Sequence, residues 1–235
     1  NGRLSWYNHS FTELMTQNEG EQFNKKNIEE LIPDITMEKV MRNNFQTVYK
    51  VVLGDRHYSL YATPVKSREG EEHDMAAMYL MDQTEMLYLK KELQDHKNIV
   101  GIILIDSYDE LIQQENDVER TNIMASIDNM VDEWAKKYHG LLLRFRDNRY
   151  LLLTERKYYK QMEKDKFSIL DEIKEIVVGE SHIPVTLSIG VGKDSYSFIE
   201  KYDYARTAIE IALGRGGDQV VVKAKDLYEY YGGKS

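Results

Sequence analysis

A single aspartate and a charged turn are the residues of this sequence best suited to chemistry. Asp106 directly follows the apolar run from Ile99 to Ile105. The segment 141–155 contains two apolar runs around a centre that carries Arg144, Arg146, Asp147, Asn148 and Arg149. The turn of a hairpin is where a sheet displays side chains that do chemistry, so the function depends on whether Asp106 lies close to this turn.

A strand and a β-hairpin would bring these residues together. Leu141 to Phe145 and Tyr150 to Leu153 predict two buried central strands, joined by a turn at Asp147-Asn148. If the strands after Lys97 form one sheet, the strand from Ile99 to Ile105 lies beside this hairpin. Asp106 then comes close to the hairpin turn.

The remaining elements after Lys97 alternate between helix and strand. We predict two helices before the hairpin and four further elements after it: Tyr108–Gln114, Glu119–Tyr138, helix Lys160–Val177, strand Val185–Val191, helix Phe198–Leu213 and strand Gln219–Lys223. Ser197 and Glu200 are typical of a capping box at the start of the last helix. The order βαββαβ plus one strand predicts an α+β fold, a ferredoxin-like sheet with helices on one side.

Composition excludes several classes of function. The 235 residues carry a formal net charge of -9, which argues against nucleic acid as a partner because phosphate-backbone binding needs a basic face. The absence of cysteine excludes disulfides, cysteine-ligated zinc and thiol nucleophiles. Without an apolar run of roughly 18 residues or a signal sequence, we expect a soluble chain. Because it starts at Asn1 rather than at methionine, we expect it to be cut from a longer protein.

The residues before Thr84 predict a separate α+β domain. Gly2 to Tyr7 alternates like a strand, short helices follow around Leu14 and Ile28, and three strands come last: Phe45–Leu53, His57–Val65 and Ala76–Met81. The stretches 2–8 and 79–84 resemble the second strand and the Asp-x-Thr exit of PAS domains. The resemblance implies a PAS-like sensor over residues 1–83, without the first strand of that family.

Thr84 to Lys97 predicts a linker helix. Met86, Leu89 and Leu93 have the i, i+3, i+7 spacing of a narrow apolar seam. Two interpretations are open at this point: a helix that packs against its own domain, or a short parallel coiled coil between two protomers. The second implies a homodimer.

Asp106, the charged turn and the string from Thr186 to Gly192 together resemble the GGDEF family of nucleotidyl-cyclase-fold domains. The resemblance covers residues 98–223 and implies a GGDEF-type domain over residues 98–235. In active members, an aspartate after the first strand and an acid in the hairpin turn hold the metal ions. The resemblance puts Asn148 at the second metal position and Arg149 at the next acid. We therefore expect a degenerate domain without diguanylate cyclase activity.

The string from Ala212 to Lys223, which contains Gly214-Arg215-Gly216-Gly217-Asp218, resembles the modified GGDEF domain of GdpP-type cyclic-di-AMP phosphodiesterases. On a purely structural interpretation, Gly214 ends a helix and Gly216-Gly217 turns into the last strand. Members of this family combine a membrane segment, a PAS domain, a degenerate GGDEF domain and a DHH/DHHA1 hydrolase domain. The resemblance implies a sensory and regulatory fragment at the cytoplasmic face of the membrane, without the hydrolase domain.

The same resemblance assigns roles to individual residues. It implies ATP binding with slow hydrolysis, Asp106 as catalytic residue and ligand of Mg²⁺ or Mn²⁺, and haem in the PAS domain with His57 as a weak candidate ligand. The implied nucleotide-binding residues are Ser107, Tyr108, Asp109, Asn148, Arg149 and Arg215. The alternative function is a stand-alone enzyme, an ATPase or an atypical cyclase, and acids at the hairpin turn would distinguish a cyclase.

Overall fold

The structure, a computed structural model, describes residues 2–15, 23, 26–33, 35–42, 48–65, 75–106, 108–110, 116–178 and 183–233. The chain divides into two units, Asn1–Lys91 and Glu92–Ser235. This division falls inside the segment for which the sequence predicts a linker helix. Among the helices of the described ranges, none has the length and apolar character needed to cross a membrane.

The first unit is built on a three-stranded antiparallel sheet in the order β1-β2-β3. Its elements are α1 (His9–Met15), α2 (Ile28–Leu31), α3 (Met37–Arg42), β1 (Tyr49–Leu53), β2 (Arg56–Val65) and β3 (Met75–Asp82). Alternation along β2 buries Tyr58, Leu60 and Ala62, which pack with apolar residues of the short helices. The strand predicted over Gly2 to Tyr7 is reduced to a single bridge between Arg3 and Asn27.

Other sequence predictions for this unit differ in detail. The helix α3 lies where the sequence pattern predicts none. The predicted strand from Phe45 is described only from residue 48 onward, and β1 begins at Tyr49. The hairpin between β1 and β2, with its turn at Gly54-Asp55, is confirmed.

Helix α4 (Thr84–Asp95) confirms the predicted helix, two residues shorter at its end. Just before its start, the Asp82 carboxylate accepts a hydrogen bond from the Thr84 backbone N–H at 2.8 Å, which forms an Asx turn. The Thr84 hydroxyl oxygen accepts from the His57 N–H at 2.9 Å, which ties this start to β2. The seam residues Met86, Leu89 and Leu93 are exposed by 57%, 58% and 68%.

The second unit contains a six-stranded sheet in the order β11-β10-β9-β4-β6-β5. The elements are β4 (Asn98–Ile105), α5 (Asp117–Lys137), β5 (Leu141–Arg146), β6 (Arg149–Glu155), α6 (Arg156–Lys164), α7 (Ile169–Glu172), a 3-10 turn (Ile173–Glu175), β7 (Val177–Val178), β8 (Ile183–Pro184), β9 (Leu187–Lys193), α8 (Phe198–Gly214), β10 (Gln219–Ala224) and β11 (Leu227–Gly232). The central strand β4 pairs antiparallel with β6 and with β9. This order confirms the predicted βαββαβ arrangement with its one additional strand, β10, and adds the edge strand β11 next to β10.

Helices cover both faces of the sheet, so the prediction of helices on one side is wrong for α8. Ile99 and Ile103 of β4 face the core that includes α5 and α6, whereas Val100 and Ile102 face Ala205 of α8. Because β4 is covered on both faces, all its residues after Asn98 are buried.

Two glycines of β9 bring α8 unusually close to the sheet. A Cβ atom at Gly192 would lie 1.9 Å from the Lys201 carbonyl oxygen, and one at Gly190 would lie 2.3 Å from the Ala205 carbonyl oxygen. The helix backbone therefore rests directly on the strand, where only hydrogen atoms fit.

Three further predictions are wrong. The long helix predicted over Lys160 to Val177 is broken, because Lys166 and Phe167 adopt left-handed φ angles of 51° and 55° and separate α6 from α7. The hairpin strand β5 is an exposed edge strand and not a buried central one. The edge strand β11, on the other side of the sheet, lies where no strand is predicted.

Candidate functional site

The buried strand β4 delivers Asp106 to the edge of the sheet. The half-buried Asp106 carboxylate accepts three hydrogen bonds: from the Ser188 hydroxyl at 2.7 Å, the Thr186 hydroxyl at 2.9 Å and the Asp218 backbone N–H at 3.0 Å. The Asp106 N–H itself donates to the Thr186 carbonyl oxygen at 3.0 Å. Asp106 thus connects the end of β4 with the start of β9 and with the loop before β10.

That loop passes close to Asp106 because it contains a glycine. Gly217 has a φ of 74°, and a Cβ atom there would lie 2.9 Å from Asp106 Oδ2. A side chain at this position would therefore be strained and would also collide with the carboxylate. Gly217 does more than turn the chain into β10: it makes room for the loop to contact Asp106.

Asp218 anchors the same loop on its other side. Its Oδ2 lies 3.0 Å from Lys174 Nζ, and the Lys174 amine also pairs with Asp171 at 3.4 Å. Burial alone would lower the pKa of Lys174, but the two carboxylates outweigh it and raise that pKa. The lysine therefore stays charged and holds the loop against the 3-10 turn at neutral pH.

The hairpin turn lies beside Asp106, as the sequence predicts. The Asn148 carbonyl oxygen accepts a hydrogen bond from the Ile105 N–H at 3.0 Å, and Arg149 is paired with Leu104 in the sheet. Both Asn148 and Arg149 are half-buried. The turn is thereby placed at the end of β4, next to the carboxylate.

These parts enclose a cleft of about 420 Å³. Its lining consists of Leu104, Ile105, Asp106, Tyr108, Asp109, Glu110, Asn148, Leu213, Gly216 and Gly217. Four of the predicted site residues, Asp106, Tyr108, Asp109 and Asn148, are brought together here. Its acidic members give the cleft a negative charge, so an anionic ligand needs a counter-ion to bind.

The other predicted site residues have different positions. The Arg215 side chain is directed to Gln219, to which its Nε donates at 3.1 Å, and its guanidinium lies 4.7 Å from the centre of the Tyr230 ring. Arg149 is at the hairpin turn without being one of the lining residues. Ser107 lies outside the described residues.

Sequence reasoning missed the glycines and Leu213 as parts of the cleft. The glycine-rich string after α8 was the available signal, since Gly216 and Gly217 both have positive φ angles there. The charged member of that string, Arg215, is the conspicuous candidate, but the loop turns it away from the cleft.

The donor set determines which metal could bind. Within the described ranges, no group of three or more histidine, aspartate or glutamate side chains is arranged to hold a metal ion. A carboxylate offers about four acceptor positions, and Asp106 uses three of them within the protein. These residues fit a hydrated Mg²⁺ or Mn²⁺ carried by the phosphates of a ligand, and not a cation enclosed by protein.

The position of His57 does not fit an axial ligand for haem in the core of the first unit. His57 is exposed and precedes the buried Tyr58 in β2, so the alternation of the strand directs it away from the hydrophobic core. An enclosed haem would need its donor on the buried face.

The matching family model and the similar proteins described next are all named as cyclic-di-AMP phosphodiesterases. A family model described as cyclic-di-AMP phosphodiesterase GdpP-like, GGDEF domain, matches residues 103–229, just over half of the chain. The cyclic-di-AMP phosphodiesterase PdeA of Listeria monocytogenes is 32% identical over 89% of this chain and 30% of its own length. The cyclic-di-AMP phosphodiesterase GdpP of Bacillus subtilis is 32% identical over 70% of this chain and 25% of its own length. The chain thus spans less than a third of these relatives.

Among solved structures, the active GGEEF domain of a diguanylate cyclase from Vibrio cholerae is similar with a TM-score of 0.47. The match covers 60% of this chain and 92% of that domain, at 13% sequence identity. The GGDEF domain of DgcB from Caulobacter crescentus, in complex with c-di-GMP, matches with the same TM-score of 0.47 at 12% identity, over 59% of this chain and 85% of that one.

Proposed function

Because this chain belongs to the family of GGDEF domains of GdpP-like cyclic-di-AMP phosphodiesterases, we propose that its second unit is a regulatory domain that binds ATP in the cleft at Asp106. The domain hydrolyses ATP slowly and makes no cyclic-di-GMP. The domain regulates a phosphodiesterase domain elsewhere in the parent protein. Asp106, Tyr108, Asp109 and Asn148 contact the nucleotide or its metal ion.

The observation that carries this proposal is the composition of the hairpin turn beside Asp106. A cyclase joins two nucleotides with metal ions that activate a hydroxyl and neutralise a triphosphate, and those ions need several carboxylates. Here the turn supplies the amide of Asn148 and the cation of Arg149, within one hydrogen bond of the end of β4. Such a turn supports phosphate binding and removes the metal ligands of a cyclase.

The shape and charge of the cleft support a nucleotide with its metal. A volume of about 420 Å³ lies within the range of small-ligand pockets. The acidic lining repels free ATP, so Mg²⁺ or Mn²⁺ must accompany the triphosphate, with Asp106 as its protein ligand. When bound, the ion neutralises phosphate charge; the residues of this chain orient the nucleotide.

The proposal also assigns roles to the rest of the parent protein. We assign the first unit to a PAS-like sensor, α4 to the connection between sensor and cleft domain, and catalysis to a DHH/DHHA1 domain outside this sequence. Membrane segments of the parent would hold both units at the cytoplasmic face. The net charge of -9 disfavours binding to the phosphate backbone of nucleic acid.

The direct test is a binding titration of the purified chain with ATP, with and without Mg²⁺, followed by chromatography after incubation with GTP. We expect ATP binding only with the metal, and no cyclic-di-GMP above a heat-killed control. Metal-independent binding would contradict the role of Asp106. Cyclic-di-GMP production would favour the alternative of a stand-alone cyclase.

A further inference from the structure

An aspartate in the middle of α5 contacts the hairpin from outside the cleft. Asp128 Oδ2 accepts a hydrogen bond from Arg144 Nη1 at 2.8 Å, and its Oδ1 accepts one from the Tyr150 hydroxyl at 2.5 Å. Burial of Tyr150, and then its bond to Asp128, raise the pKa of the phenol, so it stays protonated and keeps donating at neutral pH. The carboxylate therefore connects the helix to both strands of the hairpin.

Arg144 extends this connection to the turn. Its Nη2 donates to the carbonyl oxygen of Asp147, the residue before Asn148. The pairing of β5 with β6 shifts register between Arg144 and Arg146, so the strand ladder alone does not fix the turn at this point. The Asn148 carbonyl oxygen is held from the other side by the Ile105 N–H.

We propose that Asp128 is a positioning residue for the nucleotide cleft: through Arg144 it fixes the turn that presents Asn148 and Arg149 beside Asp106. This inference rests on the proposed function, because it concerns the same cleft. Asp128 is not a lining residue, so its effect passes through the hairpin.

The test compares two carboxylates of α5. Asp132, one turn after Asp128, forms a surface ion pair with Lys136 at 2.5 Å on the same helix. Asp128→Ala and Asp132→Ala each remove one helix carboxylate, but only the first removes the contact to the hairpin. We expect Asp128→Ala to raise the dissociation constant of Mg-ATP about tenfold, the equivalent of one charge-assisted hydrogen bond, and Asp132→Ala to leave it within about twofold.

Amide hydrogen exchange gives a readout that is independent of the ligand. In Asp128→Ala, exchange should become faster at residues 147–150 and at Ile105, whose N–H donates to Asn148, while α5 and the rest of β4 keep the wild-type rates. The double variant Asp128→Ala/Arg144→Ala should lose less Mg-ATP affinity than the sum of the two single losses, because the effect of Asp128 on the turn passes through Arg144. Asp128→Asn preserves the shape of the side chain and replaces Asp128→Ala if that variant does not fold.

Unchanged exchange at the turn together with unchanged affinity in Asp128→Ala would overturn the inference, as would an equal loss in Asp132→Ala. If the wild-type chain binds no Mg-ATP, the proposed function fails, and the exchange rates at the turn then decide the role of Asp128 alone.

Discussion

At the scale of single residues, the Asp106 carboxylate accepts three hydrogen bonds that tie β4, β9 and the loop at Asp218 together. In the proposed function, the same oxygen atoms also bind the metal ion that accompanies ATP. A substitution there removes charge and also loosens the loop. The two effects can be separated by a variant that alters only the hydrogen bonds.

For Asp106→Asn we expect loss of Mg²⁺-dependent ATP hydrolysis, because the amide carries no charge for the metal. We also expect a lower free energy of unfolding, by about 1–3 kcal/mol, because the amide cannot accept all three donors. Thr186→Val is the control: it removes one donor to Asp106 and leaves the charge. Equal ATPase rates for the wild type and Asp106→Asn, with Thr186→Val also unchanged, would show that Asp106 is only structural.

Arg149→Ala should weaken Mg-ATP binding about fivefold to tenfold, because the guanidinium at the turn attracts the triphosphate. Arg146→Ala is the matched control, since Arg146 is the exposed last residue of β5 at the same turn. Fluorescence titration with a labelled ATP analogue measures both. Identical dissociation constants for the two variants would mean that only the general positive charge of the turn matters.

At the scale of elements, the contact of α8 with β9 sets the position of one wall of the cleft, the wall that contains Leu213. The glycines of β9 let the helix backbone touch the strand, and the helix ends at the loop that lines the cleft. A larger residue in β9 would therefore lift the whole helix.

Gly192→Ala should lower the free energy of unfolding by more than about 2 kcal/mol, since the added methyl group meets the backbone of α8. Gly214→Ala is the control, because a Cβ atom there meets no other atom within 4 Å, and it should be neutral or stabilising by up to about 1 kcal/mol. Urea denaturation of both variants measures the difference. A Gly192→Ala variant as stable as Gly214→Ala would contradict the close packing.

Elements with a strong apolar period could be predicted from the sequence, and those that depend on unusual backbone angles could not. The β4 strand and α5 have long apolar patterns, and their positions agree with prediction to within two residues. The break at Lys166 and Phe167 has no glycine or proline to mark it, so the pattern continues through it. For the cleft, Asp106 and Asn148 could be found from strand order, whereas the outward direction of Arg215 depends on contacts with Gln219 and Tyr230.

At the scale of the whole molecule, α4 carries an exposed apolar seam. Met86, Leu89 and Leu93 lie on one side of the helix and are more than half exposed. Contiguous exposed apolar residues mark candidate interaction surfaces, and the heptad-like spacing suits a second copy of the same helix.

We therefore expect the chain to form a parallel dimer through α4. Leu89→Asp/Leu93→Asp should shift the mass measured by light scattering from dimer to monomer, because the dimer would have to bury unpaired carboxylates between its two helices. Lys91→Asp, outside the seam on the same helix, should remain dimeric. A wild-type chain that is monomeric at high concentration would refute this prediction.

The seating of α8 on Gly190 and Gly192 also has a mechanical consequence. A helix of 17 residues is about 25 Å long, and at Gly190 and Gly192 its backbone meets the strand with no side chain in between. Its first turn follows Tyr196, whose ring faces Lys97 just before β4, and its last turn carries Leu213 in the wall of the cleft. We therefore expect α8 to move together with β9, so that a displacement of its first turn would also displace the cleft wall at Leu213.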